Sequence, residues 1–303
     1  MSNLILLFLC IVLGFVLRKV KIFPENGHLA LNAFVINISL AALCLYYIPK
    51  IQVDFQLIFP VAIAWLNIFL ALLFFTFIGK KLGWKKTLTG AVIMCAGFGN
   101  TSFVGIPVIN ALFGNEGLKT VMLVDQPGSF VALSTVGIAV VNFYSGSHSS
   151  AKEIFKKIIK FPPFITFVVA VLLNVFQISV PEVMDDVFSK LGATTVPLAL
   201  VSVGSQLRFE NPANYAKPLL IGLIFKLILF PLFIFTLYFL ILKQKGEVIE
   251  ISIMEAAMAP MITAAILASS HHLESKLCNL FIGIGIPSSF LTLAFWYFIL
   301  QSI

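Results

Sequence analysis

The sequence predicts an all-α polytopic membrane protein whose ten transmembrane helices form a 5+5 inverted repeat. Composition, loop charge and an internal repeat carry that prediction. Of the 303 residues, 60% are hydrophobic and only 11% charged, with a mean hydropathy of +1.04, whereas a soluble domain is about a quarter charged. Spanning helices of about 20 apolar residues each absorb the excess that one soluble core cannot hide. A soluble enzyme, a nucleic-acid binder and a disordered chain are excluded. The net charge of +7 belongs to loops that face the cytoplasm.

Apolar runs of spanning length fall at 2–20, 28–49, 56–79, 87–113, 117–143, 162–179, 187–206, 217–242, 248–270 and 276–300. They are read as helices because lipid leaves no backbone polar group unpaired, and the alternation of a membrane barrel is absent. The first run resembles a signal peptide, but its positive charges follow the apolar stretch and no A-x-A site appears, so it is read as a retained helix. Cys10, Cys44, Cys95 and Cys278 lie inside apolar runs with no CxxC spacing and read as small buried hydrophobes, not metal ligands.

Loops after spans 1, 3, 5, 7 and 9 hold 14 Lys and Arg residues, and the opposite loops hold 5; Lys226 lies within span 8. The positive-inside rule then puts both termini outside a cell (plasma) membrane. The longest polar connection, 145–160, is a short basic linker on the cytoplasmic side. It separates a first repeat, 1–144, from a second, 161–303.

Five spans per half force the halves into opposite orientations, and the sequence carries matching signals. Pro60 and Pro218 share an offset of 158 residues, and Ser39-Leu-Ala-Ala-Leu43 falls on Pro197-Leu-Ala-Leu-Val201 at the same offset. Pro127-Gly-Ser-Phe-Val-Ala-Leu133 falls on Pro287-Ser-Ser-Phe-Leu-Thr-Leu293 at an offset of 160. Spans 4 and 9 are both interrupted: Gly97, Gly99, Asn100, Gly105 and Pro107 crowd the first, and Pro260 followed by small residues marks the second. Proline deletes a helical hydrogen bond and glycine eases unwinding. Paired interruptions in opposed halves point to the binding site of a secondary transporter.

The segment Gly99-Asn-Thr-Ser-Phe-Val-Gly-Ile-Pro107 resembles the hallmark span-4 motif of the auxin efflux carrier family, which includes plant PIN carriers and bacterial organic-acid permeases. The resemblance runs over the whole chain, taking in Thr195-Val-Pro-Leu-Ala-Leu-Val-Ser-Val-Gly204 and Pro260. It implies a fold similar to the bile-acid sodium symporter fold. Spans 1, 2, 6 and 7 would be a scaffold, spans 3–5 and 8–10 a moving transport domain, and broken helices 4 and 9 would cross at the site. The short linker matches bacterial members, and Ala265 stands near where plant carriers have a second proline.

A carboxylate substrate needs donors and positive potential, which half-helix N-termini supply. The half-helices expected to start near Pro107 and after Pro260 are the anion cradle. Asn100, Thr101 and Ser102 precede the first break and Thr263 follows the second; Ser39 and Asn37 could face the site from span 2. Asp125, Lys226 and Glu255 are ionisable groups inside spans, each in need of a partner or a cavity. Asp125 and Glu255 are the candidate coupling carboxylates. Glu255 is placed near the outer end of its span, and Lys226 is a carboxylate partner or a snorkelling cation. His271 and His272 point apart on a helix and are read as an interfacial pair.

The expected function is secondary active transport of a small organic anion such as malate, malonate or an auxin-like acid, by elevator-type alternating access with proton coupling. A sodium-coupled symporter and, less favoured, a channel are the alternatives. No enzyme motif, cofactor site or metal site is read. The expected partners are the anion, a proton or sodium ion, and the bilayer; nucleic acid is excluded and a homodimer is left open.

Overall fold

The computed structural model describes residues 2–52, 54–146, 159–208 and 211–302, all of them helical or in turns and short connections. Most of the 145–160 linker thus lies outside the described residues. The helices are α1 (Ser2–Lys19), α2 (Gly27–Lys50), α3 (Phe55–Lys81), α4 (Lys86–Ala96), α5 (Thr101–Phe113), α6 (Gly117–Ser145), α7 (Pro162–Val175), α8 (Glu182–Gln206), α9 (Ala213–Ile241), α10 (Glu247–Ala256), α11 (Ile262–Ser270) and α12 (Ser275–Gln301). Seven of them (α1, α2, α3, α6, α8, α9 and α12) are long and apolar enough to cross a membrane.

Polarity is distributed as a bilayer requires. Large apolar side chains such as Phe8, Phe69, Phe77, Leu291 and Phe298 lie exposed along the outer faces, whereas Asn67, Asp125, Gln126, Ser202, Lys226 and Glu255 are buried. In water such a surface would aggregate. Against lipid tails it is the matched face, and polar groups find partners only inside.

Without a hydrophobic drive between helices in lipid, small residues set the closest contacts. Helix α1 packs along α8, where a Cβ added to Gly14 would sit 2.1 Å from the carbonyl oxygen of Val201. One added to Gly204 would meet the Ile11 carbonyl at the same distance. Any larger residue at either position forces the backbones apart. Helices α2 and α7 join this pair, while α3 packs against α6 and α10, and α4 against α6 and α11.

Several helices carry π-turns, as at Val35–Ser39, Thr101–Gly105, Val124–Phe130 and Phe225–Leu229. Pro127 lies inside the third of these, where a widened turn relieves the clash between the proline ring and the preceding carbonyls. Ends predicted from apolar runs shift by a few residues: α8 begins at Glu182, upstream of the run at 187, and α7 stops at Val175, short of 179. A membrane-facing run and a helix share a core but not their caps.

Candidate functional site

Helices α4 and α5 are separated by Gly97–Asn100, and α10 and α11 by Ala257–Met261. The two gaps run antiparallel and pair. The Asn100 N–H donates to the Ala259 carbonyl at 2.8 Å, the Met261 N–H donates to the Phe98 carbonyl at 3.1 Å, and Gly99 stands opposite Pro260. Residues 99 and 260 therefore form the position in the bridge that exchanges no main-chain bond. Pro260, which has no N–H, sits where none is needed. Each gap satisfies backbone groups of the other, which lets non-helical chain persist inside the protein.

The first break lies earlier than the sequence predicted. Asn100 is the N-cap of α5: its Oδ1 accepts from the Phe103 N–H at 3.1 Å, and its carbonyl accepts from the Gly105 N–H at 2.9 Å. Pro107 is buried inside α5, not at the start of a half-helix, because the π-turn just before it accommodates the ring without breaking the helix. The positive end of α5 is thus at Thr101. A carboxylate of the protein already stands there. Asp125 Oδ1 accepts from the Thr101 hydroxyl at 2.5 Å and from the Ser102 hydroxyl, and Oδ2 accepts from Gln126 Nε2 at 2.7 Å. Ser129 Oγ lies 3.2 Å from the Thr101 hydroxyl oxygen. Thr101 and Ser102 are therefore committed to Asp125, a role the linear sequence did not reveal. Two buried polar atoms beside them, Asn100 Nδ2 and Gln126 Oε1, have no partner.

Asp125 borders a cavity of about 230 Å³. Ser102, Gln126 and Thr263 contribute its other polar lining together with Ser134, and Ile36, Leu40, Phe103, Phe130 and Phe161 form apolar walls. Met261 and Thr263 place the N-terminus of α11 at this cavity, and α11 has no side-chain cap. Of the two half-helix starts, α5 is capped by Asn100 and faced by Asp125, and α11 has no side-chain cap. Ser39 does not line the cavity. It shares a hydrogen bond of 2.7 Å with Thr194 and ties α2 to α8, while Asn37 bonds its own helix at the Ala33 carbonyl.

Glu255 and Lys226 are both about 1% exposed. Both side chains are thus enclosed by protein, Glu255 in the last turn of α10 and Lys226 in the π-turn Phe225–Leu229 of α9, so of the two readings of Lys226 the snorkelling one does not hold. Lys226 Nζ donates to the Ala256 carbonyl at 2.9 Å. Both carboxylate oxygens of Glu255 are without a hydrogen-bond partner. They lie over Gly105, where an added Cβ would come within 2.5 Å and 2.7 Å of them, so a larger residue there requires the Glu255 carboxylate to move.

A second cavity, of about 460 Å³, lies on the other side of α11. Arg18, His28 and Arg208 line it with Glu25, Ser269 and Asn279. Arg18 Nη1 donates to the Ser205 carbonyl at 3.0 Å, satisfying the carbonyl end of α8, and Arg208 is exposed. In the sequence these arginines read as loop charge only. Residues 18 and 208 share no spacing signal, and the packing of α1 on α8 is what brings them together. Among the described residues no group of three His, Cys, Asp or Glu side chains could hold a metal ion.

The family model described as "Membrane transport protein" matches residues 1–156 and 146–297. An uncharacterized transporter of Methanocaldococcus jannaschii is 28% identical over 308 residues, covering 99% of this chain and 98% of the relative. One from Methanothermobacter thermautotrophicus is 24% identical, covering 96% and 95%. The uncharacterized transporter YfdV of Escherichia coli is 21% identical, covering 98% and 96%.

Proposed function

The chain belongs to the membrane transport protein family, the auxin efflux carrier family, and from that premise we propose that it is a secondary active transporter of an organic anion with an apolar body. The observation that carries the proposal is the cavity at the crossing. An uncapped helix N-terminus and Thr263 offer donors at one wall, with aliphatic and aromatic side chains around the remainder. Free N–H groups and the positive helix end suit a carboxylate. Ile36, Leu40, Phe103 and Phe130 suit a hydrocarbon or aromatic body better than the hydroxylated chain of malate.

Coupling follows from Asp125. A substrate carboxylate entering this cavity meets a second carboxylate, and two like charges in an apolar site repel strongly. A proton on Asp125 removes the repulsion and turns an acceptor into a donor, so proton and anion travel together. In this reading the chain has ten spans in two inverted halves, and α4–α5 and α10–α11 each cross the membrane as one broken span. The packing of α1, α2, α7 and α8 against one another supports a scaffold, and that of α3–α6 with α9–α12 a mobile unit. With both termini outside the cell membrane, the Arg18–Arg208 cavity opens to the cytoplasm and concentrates anions there.

The experiment is counterflow in proteoliposomes, with purified protein loaded with unlabelled aromatic or branched aliphatic carboxylates. Saturable exchange that prefers these over malate fits the proposal. Indifference to the apolar body, or unsaturable flux, contradicts it.

A further inference from the structure

The crossing contains a buried cation that the proposed substrate cycle does not use. Lys226 is the one buried basic side chain among the described residues. Its ammonium, carried on α9, reaches the last residue of α10 and donates to the Ala256 carbonyl at 2.9 Å. It also packs against the first break: a Cβ added to Gly99 would lie 3.1 Å from Nζ. The Phe230 ring lies below it, 5.3 Å from Nζ to centroid. One positive charge therefore touches both interrupted segments.

Its surroundings are negative. Helix α10 ends inside the protein, and a helix C-terminus carries roughly half a negative charge. Glu255, one residue before that end, is buried with both oxygens unpartnered. A buried carboxylate beside a helix C-terminus is costly unless a cation lies close. In transporters built on broken helices, unwound carbonyls and half-helix C-termini are where a monovalent ion is held. Here the same kind of site is filled from within.

We propose that the crossing of the two broken helices is a monovalent-cation site whose permanent occupant is the Lys226 ammonium, held by the Ala256 carbonyl beside Glu255. The chain thereby satisfies the cation requirement of its crossing without sodium, and a small cation binds there only when Lys226 is removed. The functional consequence rests on the transport reading; the site itself does not.

The test compares the native chain, Lys226→Ala, and the double variant Lys226→Met with Glu255→Gln, each purified in choline chloride, sodium chloride or propylammonium chloride at equal ionic strength. Thermal unfolding is read first and carboxylate exchange second. The native chain is expected to behave alike in all three salts. Lys226→Ala is expected to lose thermal stability and about tenfold or more of its exchange in choline, and to regain both in sodium or propylammonium. If it cannot be recovered in choline, recovery of folded protein in the other two salts is the expected result. The double variant, with neither charge, is expected to be indifferent to the cation.

Three results overturn the inference: sodium dependence of the native chain, a Lys226→Ala variant as stable in choline as the native chain, or a loss that neither cation restores. Absence of carboxylate exchange by the native chain, with the unfolding results as expected, would instead defeat the transport reading and leave the cation site standing.

Discussion

Asn100 and Ala259 are joined main chain to main chain, the N–H of one donating to the carbonyl of the other at 2.8 Å across the two broken segments. This bond and its neighbour from Met261 to Phe98 fix where α5 and α11 begin, and hence where their positive ends point.

Asn100 has two separable jobs. Its Oδ1 caps α5 through the Phe103 N–H, and its Nδ2 is a buried donor without a partner. Asn100→Ser keeps a capping oxygen and removes the amide donor; Asn100→Ala removes both. The alanine variant should lose about 1 kcal/mol of stability, and the serine variant much less, while both lose affinity for the carboxylate. Unfolding temperature and equilibrium binding measured on the same preparations check this. Full affinity in the serine variant would confine Asn100 to capping.

Gly105 leaves room for the Glu255 carboxylate. Gly105→Ala would set a methyl group 2.5 Å from Oε1 unless the Glu255 carboxylate moves away, and that displacement should cost up to about 1–3 kcal/mol. Shortening Glu255 to Ala removes the obstacle, so the double variant should be less destabilised than the sum of the two singles. A double-mutant cycle on thermal stability gives the coupling, and strict additivity would mean the two residues do not meet.

Arg208 is exposed in the second cavity, so its replacement should leave stability within about 0.5 kcal/mol of native. With the positive field at that mouth weakened, Arg208→Gln should raise the KM for carboxylate taken from that side severalfold, and less so at high salt. Unidirectional flux in oriented vesicles separates the two sides. An unchanged KM removes the cavity from the route.

The sequence made parts of this site readable and concealed others for identifiable reasons. Gly97, Gly99 and Pro260 marked both interruptions because glycine and proline act on their own turns. The sequence places the first start near Pro107, because a proline deletes a hydrogen bond wherever it stands, whereas the π-turn at Thr101–Gly105 absorbs that loss. Asp125 reads in the sequence as a carboxylate inside a span, but its bonds to Thr101 and Ser102 bridge separations of 24 and 23 residues, which no local period reports. Lys226 and Ala256 are 30 residues apart on different helices, and Gln126 was hidden beside the more conspicuous Asp125. Helix-level organisation is written in hydropathy; the partners of buried polar groups are decided by packing.

In this mechanism a proton on Asp125 is what allows a carboxylate into the cavity. The most direct test is equilibrium binding of an aromatic carboxylate to native protein and to Asp125→Asn, between about pH 6 and about pH 8, where a free carboxylic acid stays ionised. Glu255 and Lys226 are the other buried charged groups at the crossing, so Glu255→Gln is measured in parallel. Native affinity is expected to fall as pH rises, by up to about tenfold per unit once Asp125 deprotonates in the free protein. Asp125→Asn, neutral at every pH and still able to donate a hydrogen bond, is expected to bind with little pH dependence, while Glu255→Gln keeps the native slope. The same pH dependence in native protein and Asp125→Asn, or a native affinity indifferent to pH, would contradict this mechanism.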